Sequence, residues 1–235
     1  NIDIKKVCEI FTQINSKGVK LDIFDLLNAI LKPHNDLRLK ELWRDNAHLI
    51  TYSNDPKLKV YVLQIMSIWL QNYCAPKYLY YLVPNAKKVI RHKDGTKEET
   101  RLIPSSEVFL EHWHRAFKAL NKGFSILSNS KDYGAIQSKF LPYLTFSPLF
   151  SAINHLIDNQ ANINKQDAKQ KLKLFYWANI YTQNYSGSTE SKSARDYVLL
   201  QNWFADADKE PEVIQDFKRR YKDINFINEK SQGSS

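Results

Sequence analysis

Apolar side chains recur along most of the chain at the three- and four-residue spacing of amphipathic helices. Ile4, Val7, Cys8, Phe11 and Ile14 form the first stripe; Asp3 is placed to cap its start and Gly18 lies just past its end. After the polar turn Asn15-Ser16-Lys17-Gly18, a second stripe of Ile23, Leu26, Leu27, Ile30 and Leu31 runs to Pro33. Proline stops a helix there, because it lacks an amide proton and its ring clashes with the preceding turn. A third helix is predicted around Asp36 to Ala47, with Leu39, Leu42 and Trp43 on its apolar side. Leu58, Tyr61, Val62, Ile65, Ile68, Trp69 and Tyr73 keep the period in a fourth. Phe109, Trp113, Phe117, Leu120, Phe124 and Leu127 mark a long helix further on. Pro142 and Pro148 are each placed to start or interrupt a helix, and Ile153, Leu156 and Ile157 continue the second. Lys165 to Tyr181 turns Leu172, Phe175, Tyr176 and Ile180 inward, and the loop 184–188 ends it. Two more helices follow: one from about Thr189 to Phe204 burying Ala194, Tyr197, Val198 and Trp203, and one opened by Pro211 ahead of Val213, Ile214, Phe217 and Tyr221. The pattern predicts an all-α, multi-helix bundle of about eight or nine helices. One helical domain is expected over 1–230, with a frayed tail at 231–235.

The period fails between Ala86 and Pro104, a stretch dense in Lys, Arg and Glu. Asp94-Gly95 at its centre fits a hairpin turn, whereas flanks polar on both faces fit an exposed loop. Both readings stand at this level. No βαβ alternation is present, which disfavours a Rossmann-type nucleotide site, and no repeat of solenoid period is found.

Composition narrows the class without naming a chemistry. The 235 residues are 43% hydrophobic and 25% charged, enough for a sizeable core. Six Gly and eight Pro are too few for a turn-rich sandwich or barrel. No apolar run reaches the roughly eighteen residues of a membrane span. No signal peptide opens the chain, and a helical stripe begins almost at its first residue, Asn1. The expectation is a cytoplasmic segment of a longer protein. Cys8 and Cys74 are too few for a disulfide framework. The net charge of +9 favours polyanionic partners, by steering and by counterion release. Lys87, Lys88, Arg91, Lys93 and Lys97 are the densest basic cluster and the candidate nucleic-acid contacts. Five Trp, thirteen Tyr and twelve Phe offer aromatic surface for a protein partner as a further alternative.

Candidate reactive constellations are sparse. His112 and His114 flank Trp113, but residues two apart on a helix point in different directions, and no cysteine completes a zinc set. His92-Lys93-Asp94 reads as a solvated charge run, and Asp22 and Asp25 as first-turn acids favoured by the helix dipole. No phosphate-binding Gly-rich loop or Gly-x-Ser-x-Gly elbow occurs. Two polar loops remain, Asn15 to Gly18 and Tyr185 to Glu190. The second places hydroxyls and a glycine just before a helix N-terminus, where capping and anion binding use the same free N–H groups.

At these loops the chain resembles the GmrSD-like proteins of modification-dependent DNA restriction and phage defence. Phe11-Thr12-Gln13-Ile14-Asn15-Ser16-Lys17-Gly18-Val19-Lys20-Leu21, followed by Asp25-Leu26-Leu27, is similar to the family's F-x-x-I-N-x-x-G-x-x-L block. Phe140-Leu141-Pro142-Tyr143 and the stretch from Phe175-Tyr176-Trp177 through Tyr185-Ser186-Gly187-Ser188-Thr189-Glu190 to Ala194-Arg195-Asp196 resemble its later helical portion. The family's Asp-Gly-Gln-Gln-Arg motif and its HNH nuclease motif are not in this sequence. The resemblance implies the helical middle of such a protein, a connector that is non-catalytic by itself. It implies a ParB-like nucleotide-binding domain and an HNH domain as partners, and DNA as the substrate of the parent. Nucleoside triphosphate and divalent metal would belong to those other domains, with no cofactor and no metal held by this segment. Asn15, Lys17, Gly18, Tyr185, Ser186 and Ser188 are the nucleotide-proximal candidates it implies, and Arg195 is expected to pair with Glu190 or Asp196. A self-sufficient nucleic-acid-binding module is the alternative function.

Overall fold

The computed structural model describes residues 13, 22–52, 54–92, 94–187 and 189–222. Among these, nine helices and one two-stranded sheet form an all-α bundle with a small β-appendage. The first stripe, Ile4 to Ile14, and the tail at 231–235 lie outside the described residues.

Helix α1 (Ile23–Leu31) starts where the carboxylate of Asp22 accepts the Phe24 N–H at 3.0 Å, so this acid is a cap. Asp22 also pairs with Lys59 at 2.6 Å, and Asp25 with Lys40 at 3.0 Å. Helix α2 (Leu39–Asn46) follows a turn in which Asn35 and Asp36 take positive φ. Helix α3 (Leu58–Gln71) ends at Asn72, whose left-handed φ of 55° redirects the chain. Pro76 opens a single-turn helix, α4 (Pro76–Leu79). Helix α5 (Ser106–Ser128) is capped by the Ser105 hydroxyl, and α7 (Lys165–Tyr181) by the Asn164 side chain. Between them, α6 (Ser147–Asn159) carries Pro148 in its first turn, where the missing N–H has no helical partner to lose. Helices α8 (Thr189–Ala205) and α9 (Glu212–Arg220) follow.

The centre is made by α3, α5 and α6, which pack on one another. Helix α3 is buried on nearly all sides, including Gln64, Ser67 and Gln71. Helix α8 packs on α6, and α9 on α7. Buried apolar residues form one contiguous cluster from Ile23 to Phe217. Much of it is aromatic. Phe146 touches Phe150, Phe175, Tyr176 and Tyr185, and Tyr133 meets both Phe150 and Tyr176 edge-on. Among the described residues the bundle therefore takes most of these rings inside, leaving Tyr73, Phe140 and Tyr181 as the exposed ones.

The polar stretch before α5 forms a hairpin. β1 (Lys88–Arg91) pairs antiparallel with β2 (Lys97–Thr100), with Lys88 opposite Thr100 and Arg91 opposite Lys97. Gly95 supplies a φ of 85° at the tip, and the Asp94 carboxylate accepts both the N–H and the hydroxyl of Thr96, at 2.9 and 2.6 Å.

Candidate nucleic-acid interface and neighbouring clefts

The hairpin emerges next to the end of α3, and together they build a cationic, aromatic surface. Tyr73 and Tyr78 stack with ring centres 4.5 Å apart and planes 21° from parallel. Tyr73 is 49% exposed. The ammonium of Lys77 lies 5.0 Å from the Tyr78 ring centre, and that of Lys88 lies 5.6 Å from Tyr73 and 5.8 Å from Tyr81. Lys88 also donates to Gln71 Oε1 at 2.8 Å, and its partial burial lowers its pKa. Val89 and Ile90 stand exposed between the basic residues of β1.

Part of the hairpin's charge is neutralised internally. Lys87 pairs with Glu99 at 3.0 Å, Arg101 reaches the same carboxylate at 4.0 Å, and His92 contacts Glu98 at 3.1 Å. Arg91 and Lys97, opposite one another across the strands, have no ion pair among the described residues. Of the five candidate nucleic-acid contacts, Lys88, Arg91 and Lys97 thus keep their charge available and Lys87 shares it; Lys93 lies outside the described residues.

The second polar loop is organised from inside. Tyr185 is buried, and its hydroxyl donates to Asp196 Oδ2 at 2.9 Å. The other carboxylate oxygen of Asp196 accepts from Arg195 Nε and Nη2, both at 3.1 Å. Arg195 therefore takes Asp196 as its partner. Burial raises the pKa of Asp196 in spite of the hydrogen bond from Tyr185 and the Arg195 charge, and raises that of the Tyr185 phenol well above its usual range. The loop is tied down further by Asn184, which donates to Asn179 Oδ1 at 2.7 Å, and by Lys192, which donates to the Asn184 carbonyl. Cys74 donates its thiol to the Glu190 carbonyl at 3.0 Å; burial pushes its pKa up to about 12, which makes it a buried, unreactive thiol. Ser186 is exposed, while Ser188, Asn15, Lys17 and Gly18 lie outside the described residues. Among the six nucleotide-proximal candidates, the structure accordingly gives positions to Tyr185 and Ser186 only, one facing the core and one facing out.

Beside this loop runs a cleft of about 830 Å³ between α7, α8 and α9, lined by Phe175, Arg195, Asp196, Pro211, Asp216 and Arg219 among others. Its arginines are matched by acids and one of its glutamates by a lysine: Asp216 pairs with Arg219 and Arg220 at 2.6 and 2.7 Å, and Glu210 with Lys218 at 2.6 Å. A smaller pocket of about 350 Å³ opens among α3, α5, α6 and α8, walled by Trp69, Arg115, His155, Leu156, Asn159, Gln160 and Tyr197. Sequence patterning does not single out this pocket, because its members are distant in the chain and each reads alone as an ordinary helix residue. His112 is half-buried and His114 exposed, on different sides of α5. Among the described residues no three His, Cys, Asp or Glu side chains converge as a metal set. No helix there is long and apolar enough to cross a membrane.

Fold and surface together define a helical bundle with a basic β-hairpin. In sequence the chain is 25% identical to an uncharacterised protein of Methanocaldococcus jannaschii, a match that covers 98% of this chain and 37% of that protein. The chain thus spans little more than a third of the relative's length. No protein-family profile matches the chain, and no solved structure matches it.

Proposed function

We propose that the chain is the helical connector of a longer, GmrSD-like, nucleotide-dependent DNA-restriction protein, and that its hairpin surface faces DNA. The observation that carries the DNA-facing part is the stacked Tyr73–Tyr78 pair with Lys77 and Lys88 over its rings; the same hairpin carries Arg91 and Lys97, which have no ion pair among the described residues. Cations without carboxylate partners are the ones that displace counterions from a phosphate backbone, and the exposed Tyr73 ring offers a stacking face to a base. The connector part is supported by the sequence blocks named above and by a relative of much greater length. In this reading the chain is cytoplasmic and non-catalytic, and joins a ParB-like nucleotide-binding domain to an HNH nuclease domain. Nucleoside triphosphate and divalent metal belong to those domains.

Fluorescence polarisation with labelled duplex and single-stranded DNA, at graded salt, tests the surface. Binding should weaken steeply with salt, and Arg91→Ala with Lys97→Ala should weaken it further at low salt. No binding at low salt would remove the DNA-facing role. Metal-dependent cleavage by the pure chain, lost on changing one acidic residue, would overturn the non-catalytic connector.

A further inference from the structure

The pocket between α3, α5, α6 and α8 holds an arginine in unusual company. Arg115 is half-buried, its guanidinium carbon 5.5 Å from the centre of the Trp69 ring, and its Nη2 donates to His112 Nδ1. Glu111 stands one turn earlier on the same helix, a spacing that commonly yields an ion pair, yet no carboxylate among the described residues pairs with Arg115. Its Nε and the Trp69 indole N–H are buried without a hydrogen-bond partner among the described residues. Two unsatisfied donors at one site are costly, roughly 1–3 kcal/mol each, unless something accepts from them.

No carboxylate among the pocket's lining residues offsets the arginine. His155 lies against Trp69, ring centres 4.6 Å apart, and Asn159 fixes it by donating to its carbonyl at 2.7 Å. Asp158 is the nearby acid, but Lys122 holds it at 2.7 Å and Lys169 approaches it at 4.0 Å. The side-chain amides of Asn159 and Gln160 lie exposed at the rim, and Leu156 and Tyr197 supply apolar wall. In the larger cleft beside α9 each arginine faces an acid, Arg195 with Asp196 and Arg219 and Arg220 with Asp216.

We propose that this pocket binds a small phosphate-bearing ligand, with Arg115 as the principal phosphate contact and Trp69, His155 and Gln160 around it. A guanidinium held between an indole and a histidine nitrogen presents a planar fork of N–H donors matched to an oxyanion, which a flexible lysine does not. The cavity volume lies at the lower end of the range that small-molecule pockets occupy, suited to a phosphate group with a compact body. The assignment is independent of the DNA-facing surface, because it uses none of the hairpin residues.

Isothermal titration of the whole chain in phosphate-free buffer, at constant ionic strength, tests it with three probes: inorganic phosphate, adenosine monophosphate and uncharged adenosine. Saturable binding of the first two and none of the third is expected. Equal affinity for phosphate and the nucleotide assigns the oxyanion alone; tighter nucleotide binding adds the organic body. Arg115→Gln should weaken binding about tenfold or more. Should that variant prove unfolded by circular dichroism, His155→Gln on the facing wall replaces it with the same direction of effect. The indole N–H resonance of Trp69, assigned by its loss in Trp69→Phe, should shift on phosphate addition. No saturable phosphate or nucleotide binding by the unaltered chain, or Arg115→Gln binding as tightly as the parent, overturns the proposal.

Discussion

Asp196 shows how a buried charge is kept in this protein. Its side chain is 2% exposed, with one oxygen given to the Tyr185 hydroxyl and the other to a largely exposed Arg195. Tyr185→Phe would leave a carboxylate oxygen without its buried donor, at a cost of about 1–3 kcal/mol in urea unfolding. Ser186→Ala, one residue on but exposed, should change stability by less than roughly 0.5 kcal/mol. Equal effects at the two positions would contradict the loop's inside-out construction. The histidines give a second prediction. Burial lowers the pKa of His112 and His155; Arg115 lowers both further and Lys122 lowers His155, against the opposing pull of Glu111 and Asp158. An unfolded histidine titrates near 6.5, so below about that pH the unfolded chain binds more protons than the folded one. Stability should therefore fall as pH drops from about 7 toward 5, above the range where carboxylates titrate. The double variant His112→Gln, His155→Gln should flatten that slope in thermal melts. Neither pairing could be read from the chain: a lone histidine beside Trp113 says which turn it occupies, not what faces it.

At the level of elements, α5 and α6 approach closely at Gly123, where an added Cβ would overlap Ser151 Oγ and lie 3.2 Å from Ser151 Cα. An alanine normally favours a helix by about 1 kcal/mol over glycine. Here overpacking, typically ~1–3 kcal/mol, should win, so Gly123→Ala is expected to lower the denaturation midpoint. Pairing it with Ser151→Gly should restore most of the loss; a stabilised single variant would show that the helices separate easily. The helix from Lys165 to Tyr181 was legible to the residue, since the stripe of Leu172, Phe175, Tyr176 and Ile180 runs up to the polar loop that ends it. The turn Pro76–Leu79 was not, because four residues are too few to show a period. The hairpin stayed one of two readings for a related reason: its side chains are exposed on both faces, so no alternation of apolar and polar positions marks the strands. Only the Asp94-Gly95 turn signalled it.

Over the whole molecule, a charge of +9 says that polyanions will be attracted but not where they land. Pairing locates the effect, because cations answered by a neighbouring carboxylate add little. If Lys77, Lys88, Arg91 and Lys97 each meet one phosphate of a duplex, the logarithm of affinity should fall with the logarithm of salt at a slope of roughly −3 to −4. That amounts to about a hundredfold loss between about 50 and 200 mM salt. Removing Arg91 and Lys97 together should reduce the slope by about two, and an unchanged slope would place the contact elsewhere. The helical class, most element boundaries and the basic balance were all written in the order of residues, because they depend on neighbours within a turn or two; the cap made by Asp22, which the order of residues offered only as a first-turn acid, was not. Which helix faces which, and hence the meeting of Trp69, Arg115 and His155, of Tyr185 and Asp196, and of Lys88 with Tyr73, emerged only from packing. Periodicity tells a helix which side to bury; it carries no label for the partner that buries it.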